Sequence, residues 1–101
     1  MAGKAGLRIS YDENGHKGRF AARIESVDGE GELTISIASK VLVIADHTFV
    51  PDTLRGAGIG AALVEALIAD ARARNYRIVP LCPFVRAKSL KHPEWSDVIQ
   101  R

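Results

Sequence analysis

The segment that most constrains the fold is residues 51–75, in which a glycine-rich stretch runs directly into the most regular helical pattern of the chain. Three glycines, Gly56, Gly58 and Gly60, stand where this helix begins. Inside a helix each would cost about 1 kcal/mol relative to alanine, so they need a compensating role. Glycine lets backbone N–H groups approach a ligand, and the first N–H groups of a helix have no partner within it. With Arg55 beside it, the loop predicts an anion site, typically for phosphate.

Several interpretations of this loop compete, and residue spacing separates them. The P-loop pattern GxxxxGK[ST] is absent. Gly56, Gly58 and Ala61 satisfy the looser GxGxxA dinucleotide pattern, which requires an acidic residue at the end of the next strand. The next strand candidate instead ends in PLC at residues 80–82. A plain glycine-rich turn remains one interpretation of the loop. Another rests on the residues RGAGIG, 55–60, which have the form [QR]xxGx[GA].

That form is typical of the pyrophosphate loop of the GNAT N-acetyltransferase superfamily, and the resemblance extends beyond the loop. The motifs HTxVP at residues 47–51, PxCPFV at residues 80–85 and HPEW at residues 92–95 resemble a branch of very small GNAT-like acetyltransferases. The resemblance implies an α+β fold, with a mixed and mostly antiparallel sheet, one parallel pair of strands and two to three helices. It also implies a single domain over residues 1–101.

The resemblance further implies that acetyl-CoA is the co-substrate and a primary amine the acceptor. The pyrophosphate would bind to the loop formed by Arg55, Gly56, Ala57, Gly58, Ile59 and Gly60. The backbone of Phe49 and Val50 would hold the pantetheine arm and polarise the thioester carbonyl, as an oxyanion-type donor does. The second hypothesis, from another class, is a CoA-binding module without turnover that acts as a sensor or interaction protein.

Cys82 is the first candidate for a catalytic residue. Pro83 suits the first turn of a helix, which would place Cys82 at the helix N-cap, where the helix dipole favours a thiolate. The alternative is that Cys82 is a small buried hydrophobic side chain at a strand end. In the family that the chain resembles, this cysteine is considered as a nucleophile, so acetyl transfer by direct attack and through an acetylated Cys82 both stay open.

His47, the histidine of the HTxVP motif, is the second catalytic candidate. An amine is protonated at neutral pH and must lose a proton before it attacks a thioester, and histidine is a suitable residue type for this base. The alternative is a histidine that is simply hydrogen-bonded in place near the core. Because side chains alternate along a strand, Asp46 is expected to point to the opposite face and not to partner His47.

The sequence differs from the larger GNAT enzymes at the position of the general acid. Those enzymes often use a tyrosine in the helix after the second parallel strand. Residues 83–95 contain no tyrosine, which leaves Cys82, Ser89, His92 or solvent to protonate the leaving thiolate. Lys88 and Lys91 are candidates for phosphate contacts, with solvated lysines as the alternative. Trp95 is predicted to anchor the terminal segment in the core.

Alternation of apolar and polar residues predicts strands, and spacings of three and four predict helices. Strands are predicted near residues 7–11, 19–27, 33–37, 41–50 and 76–81. Helices are predicted over residues 58–74, with Asn75 as C-cap, from residue 83 toward residue 90, and from residue 93 to residue 100. Short connections make the early strands antiparallel, and the strand, helix, strand unit over residues 41–81 should be parallel.

Composition excludes several classes of protein. A net charge of +2 with scattered Lys and Arg residues does not predict a nucleic-acid partner. One cysteine excludes an internal disulfide, and neither a signal peptide nor an apolar run long enough to span a bilayer is recognisable, so we expect a cytoplasmic protein without a membrane partner. The histidines and the cysteine lack metal-ligand spacing, so no metal is expected.

Overall fold

The structure, a computed structural model, describes residues 6–100 and contains five strands and two α-helices in that range. In chain order these are β1 (Leu7–Asn14), β2 (Lys17–Ile24), β3 (Gly31–Ser39), β4 (Leu42–Phe49), α1 (Ile59–Arg74), β5 (Arg77–Pro80) and α2 (Pro83–Leu90). Two short 3-10 helices, Asp52–Leu54 and Pro93–Asp97, follow β4 and α2. The strands form one sheet in the order β1-β2-β3-β4-β5, antiparallel except for the parallel pair β4 and β5. The predicted α+β fold with a mixed sheet is confirmed.

One face of the sheet, the core face, packs against α1 because alternate residues of the strands are apolar. Its buried side chains are Phe20, Ala22, Leu33, Ile35, Val43, Ala45 and Ile78. The side of α1 toward the sheet buries Ile59, Leu63, Val64, Leu67, Ile68 and Ala71. The opposite face of β1 to β4, the polar face, carries mostly hydrophilic side chains, among them Arg8, Ser10, Arg19, Arg23, Glu32, Thr34 and Ser36.

The first two strands are longer on the hairpin side than their side-chain pattern predicted. A tight turn is present one residue later than the Asn14-Gly15 signal placed it: Gly15, at φ 63°, and His16 form the loop, and Asn14 pairs directly with Lys17. The pattern had placed the strand boundaries at Tyr11 and Arg19. A two-residue turn lets the backbone ladder continue to the turn itself, whatever the polarity of the side chains. The predicted C-cap is also confirmed, since Asn75 has a left-handed φ of 61°.

The prediction of a terminal helix as far as Gln100 is wrong. The helical turn ends at Asp97, and the chain then runs beside the free edge of β5. The Ile78 N–H donates to the Val98 carbonyl at 2.7 Å, and the Gln100 N–H donates to the Ile78 carbonyl at 2.7 Å. The strand edge offers hydrogen-bond partners that a solvated helix would leave unused. Trp95, 7% exposed, is in the core as predicted.

Two tyrosines and Arg74 form a polar cluster at the C-terminal end of α1, away from the glycine loop. The Tyr11 hydroxyl donates to Glu13 at 2.7 Å, and the Tyr76 hydroxyl donates to Asp70 at 2.7 Å. The Arg74 guanidinium pairs with Asp70 at 3.0 Å and lies 5.3 Å from the centre of the Tyr11 ring. Burial, followed by the hydrogen bond to Glu13, raises the pKa of Tyr11 to about 12. Burial and the bond to Asp70 also raise the pKa of Tyr76.

These shifts predict a loss of stability at alkaline pH. Tyrosine in the unfolded chain ionises near a pKa of about 10, whereas the folded chain keeps both protons to higher pH. The folded state therefore binds more protons above that pH, and the free energy of unfolding must fall as the pH rises from about 10 through about 12. Urea unfolding followed by circular dichroism should show a steeper fall for the wild type than for Tyr11→Phe/Tyr76→Phe. Parallel curves for the two proteins would contradict the assignment.

Candidate active site

The strands β4 and β5 separate at one end of the sheet, and this opening organises the site. Their last register pair is Ala45 with Pro80, and the Cys82 N–H closes the ladder by donating to the Ala45 carbonyl at 2.8 Å. β4 continues to Phe49, whereas the segment after β5 turns away into α2 at Pro83. Because the strands diverge here, the end of β4 lacks a strand partner on the β5 side.

A cavity of about 450 Å³ lies at this opening, on the side of the glycine loop. It is lined by Thr48, Val50, Leu54, Arg55, Gly56, Gly58, Ile59, Gly60, Ala61, Phe84 and Lys88. The structure thus brings most of the residues proposed for the co-substrate to one cavity. Two of them are not in its walls: Phe49 is 50% exposed and pairs with Glu32 of β3, and Ala57 packs against the core.

The loop geometry separates the roles of the three glycines. Gly56 and Gly58 have left-handed φ values of 81° and 75°, which favour glycine at both positions. Gly58 caps α1 without a side-chain bond, and the first bond into the helix runs from the Ala62 N–H to the Gly58 carbonyl at 3.0 Å. Within residues 6–100, the N–H groups of Ile59 and the two residues after it have no backbone acceptor. These N–H groups are available to an anion.

Gly60 is explained by packing instead. A Cβ at this position would lie 2.7 Å from Cζ of Phe84 on α2, closer than side-chain atoms approach. Gly60 therefore has a packing role that the sequence interpretation did not include, because the absence of a Cβ lets α1 and α2 pack together. Its part in binding the co-substrate stays a prediction. The sequence showed the crowding of glycines but carried no signal that joined Gly60 to Phe84, because the two residues belong to different helices.

Two cationic side chains stand in the cavity walls. Arg55 is 71% exposed at its side chain and pairs with Asp52 at 2.8 Å. Lys88 comes from α2, with its Nζ 5.8 Å from the centre of the Phe84 ring. Lys91 lies just beyond the end of α2, is exposed and does not line the cavity. Of the two lysines considered for phosphate contacts, the structure therefore places only Lys88 at the site.

Cys82 is the N-cap of α2, as predicted, and the residue is 3% exposed. The thiol Sγ lies 3.4 Å from Oγ1 of Thr48, and either group can donate the hydrogen bond. Thr48 lines the cavity, whereas Cys82 belongs to the hydrophobic core. Sequence reasoning did not single out Thr48, although it stands inside the HTxVP motif directly after His47.

The expectation that Asp46 and His47 point to opposite faces is wrong. The pairing of β3 with β4 shifts by one residue, so that His47 lies opposite Thr34 and Asp46 is an extra residue in a β-bulge. The Ser36 hydroxyl, on the same face as Thr34, donates to Oδ2 of Asp46 at 2.6 Å. Asp46 and His47 therefore share the polar face, at the opening between β4 and β5. Within residues 6–100 no hydrogen bond joins their side chains, and the His47 residue is exposed.

Two of the groups considered as general acid are occupied elsewhere. The Ser89 hydroxyl is buried and donates to the Arg86 carbonyl at 2.8 Å. The His92 ring stacks on Trp95 with 4.1 Å between ring centres, and its Nδ1 lies 2.8 Å from a carboxylate oxygen of Glu94. Neither residue lines the cavity. Cys82 with Thr48, and solvent, are the remaining proton donors near the opening.

A mixed sheet whose one parallel pair opens beside a glycine-rich helix start is the architecture of an N-acetyltransferase of the GNAT class. A family model described as GCN5-related N-acetyl-transferase matches residues 19–98. The match covers most of the chain, and the protein belongs to this family of acetyltransferases. No curated protein matches the sequence.

The described part of the chain has two further properties that bear on its partners. Neither α1 nor α2 is long and apolar enough to cross a membrane. Residues 6–100 contain no group of three or more His, Cys, Asp or Glu side chains arranged to hold a metal ion. The single domain over residues 1–101 and the cytoplasmic location stay predictions.

Proposed function

We propose that this protein transfers the acetyl group of acetyl-CoA to a primary amine. The observation that carries the proposal is the cavity at the separation of β4 and β5, with free N–H groups of α1 on one wall and Lys88 on another. A volume of about 450 Å³ lies within the usual range for small-molecule sites. The residues present suit the co-substrate: unpaired N–H groups and cations match a pyrophosphate, and Phe84 and Val50 offer apolar surface to a pantetheine arm.

The reaction requires two proton movements. The acceptor arrives as an ammonium ion and loses one proton, for which His47 on the polar face is the proposed base. The neutral nitrogen then attacks the thioester carbonyl, so that an N–C bond forms and the C–S bond breaks. The nitrogen loses its second proton, and the departing sulfur leaves as the CoA thiol. One proton is released to solvent for each acetyl group transferred.

Direct attack by the amine is favoured over an acetylated Cys82. A nucleophilic thiolate needs access to the thioester, whereas Cys82 is 3% exposed and Thr48 stands in the cavity wall. We assign the Cys82 thiol and the Thr48 hydroxyl, 3.4 Å apart, to proton delivery toward the leaving sulfur. Intact-mass measurement after incubation with acetyl-CoA distinguishes the routes: an added acetyl group that is absent in Cys82→Ser would establish the covalent intermediate instead.

The first test is stabilisation by acetyl-CoA. At 100 times its dissociation constant a ligand adds about 2.7 kcal/mol to the free energy of unfolding, which for this chain length raises the midpoint by about 10 °C or more. Removing both cations with Arg55→Ala/Lys88→Ala should weaken binding by about a hundredfold or more, at about 1.5–3 kcal/mol for each hydrogen bond to a charged group. Thermal unfolding monitored by circular dichroism measures both effects.

The matched control is Arg8→Ala/Lys91→Ala, which removes the same charges at exposed positions outside the cavity. This variant should keep the full thermal shift. If saturating acetyl-CoA leaves the midpoint of the wild type unchanged, the cavity does not bind it and the proposal fails. If the two double variants lose the acetyl-CoA-induced rise of the midpoint equally, the rise depends on the net charge of the protein and not on this cavity.

The second candidate function is a CoA-binding module without turnover. It is favoured by one observation: Ser89 and His92, two of the possible acids, make their contacts away from the cavity. The two functions share the same binding site and differ in chemistry. Release of free CoA thiol in the presence of a primary amine supports the acetyltransferase, and binding without any release supports the module.

A further inference from the structure

A second concave surface lies on the polar face, across the sheet from the co-substrate cavity. This polar groove has a volume of about 700 Å³. Its walls include Asp12, Lys17, Arg19, Thr34 and Asp46. The groove is therefore formed by neighbouring strands β1 to β4, and it plays no part in the packing of α1 against the core face.

The polar groove and the co-substrate cavity meet at β4. Asp46 follows directly after Ala45, the last β4 residue paired with β5, and Thr34 is the register partner of His47. Thr48, the residue after His47, lines the co-substrate cavity on the other side of the sheet. If a thioester is held at the opening between β4 and β5, an acceptor in the groove would approach it along β4, past the proposed base.

The charges in the polar groove favour a cationic ligand. The Arg19 guanidinium is held by two carboxylates outside the groove walls, Glu30 at 2.6 Å and Glu32 at 2.7 Å. Lys17 Nζ donates to the Ser36 hydroxyl at 2.8 Å and lies 3.5 Å from Asp46.

By contrast, Asp12 is exposed and forms no ion pair within residues 6–100, although it stands opposite Arg19 in the register. Lys17 and Arg19, the two cationic side chains of the groove walls, thus have carboxylate partners, whereas the Asp12 carboxylate has no ion-pair partner within residues 6–100. A ligand that brings a positive charge gains an unpaired partner, whereas an anionic ligand would have to displace existing contacts.

We propose that the polar groove binds the acceptor, and that the acceptor is a primary amine with a second positive charge about 10 Å away. This separation follows because Asp12 and His47 lie in one cross-strand row, three strand spacings of about 4.8 Å apart. The amine to be acetylated lies at the β4 end beside Asp46 and His47, and the second cation lies toward Asp12. This inference rests on the proposed acetyltransferase function. The same chemistry is offered by a free diamine and by a lysine next to another basic residue in a polypeptide.

The test compares 1,8-diaminooctane, which is long enough to span this row, with octylamine, which has the same carbon chain and one charge, by the rate of CoA thiol release. The wild type should prefer the diamine in kcat/KM by about fivefold, the upper end of the range for one exposed ion pair. Asp12→Asn should remove this preference. A peptide with adjacent lysine and arginine distinguishes the sources: a higher kcat/KM for the peptide than for the diamine assigns the groove to a polypeptide.

Asp28→Asn is the matched control, because Asp28 is an exposed aspartate in the turn before β3 and outside the groove. It should keep the preference for the diamine. Equal rates with both amines in the wild type, or an equal effect of both substitutions, would overturn the inference.

Binding to the groove is also measured without turnover, by amide NMR shifts on adding 1,8-diaminooctane to the protein with CoA. Shifts are expected around residues 12–19 and residue 34. Shifts there without acetylation of any amine would reject the acetyltransferase and keep a cation-binding groove. Acetylation with shifts elsewhere, or with none, would keep the enzyme and reject the groove.

Discussion

His47→Gln is expected to lower kcat for amine acetylation by about 100- to 10,000-fold, the usual contribution of a general base. Glutamine keeps a polar side chain of similar size but does not accept a proton from an ammonium ion. The effect should be largest where the acceptor is fully protonated, and it should decrease as the pH approaches the pKa of the amine, because solvent then supplies the neutral nucleophile. Steady-state release of CoA thiol at several pH values measures kcat and its pH dependence.

His16→Gln is the matched control, since His16 is an exposed histidine at the β1–β2 turn with its Nδ1 3.3 Å from the Ile37 carbonyl. This variant should retain wild-type turnover. The stabilisation by acetyl-CoA should also be unchanged in His47→Gln, because His47 lies on the polar face and not in the cavity walls. Wild-type kcat in His47→Gln at all pH values would show that another group, or solvent, deprotonates the amine.

Leu67→Ala is expected to reduce the free energy of unfolding by about 2–5 kcal/mol, the range for removing a leucine from a packed core. Leu67 is 0% exposed and lies in the middle of α1, on the side that packs against the sheet. The substitution removes apolar contact and leaves a cavity that the surrounding core side chains fill only in part. Each kcal/mol shifts the midpoint of thermal unfolding by about 4–8 °C in a domain of this length. The midpoint should therefore fall by about 10 °C or more.

Leu90→Ala makes the same chemical change at the end of α2, where the leucine is 69% exposed. The free energy of unfolding should change by less than about 0.5 kcal/mol, as for surface substitutions in general. Both variants are compared by urea unfolding at one pH and protein concentration. An equal loss in the two would mean that α1 does not pack on the core face as described.

The features that the sequence predicts well are those set by backbone chemistry within a few residues. Gly15 begins a tight turn, Pro83 begins α2 and Asn75 ends α1 because each residue type has its own backbone preferences. The order of strands and helices follows from the period of the apolar residues. The terminal segment after Asp97 was misread, since pairing with β5 depends on an edge that is distant in sequence.

The candidate site shows the same division. The loop of residues 55–60 is continuous in the chain, so its glycines and Arg55 were recognisable as one motif. Thr48, Phe84 and Lys88 reach the cavity from β4 and α2, and nothing local marks them as neighbours of the loop. Their assembly depends on the parallel pairing of β4 with β5 and on the packing of α2 against Gly60.

By itself, the sequence determined the α+β element order, the glycine-rich start of α1, and Cys82 and His47 as the candidates for chemistry. Only the tertiary structure decided where these groups face. The β-bulge moves Asp46 onto the face of His47, and burial places Cys82 behind the cavity wall at Thr48. The reason is physical: backbone preferences and apolar periods act over a few residues, whereas strand register and the burial of a side chain are settled by distant segments packing together.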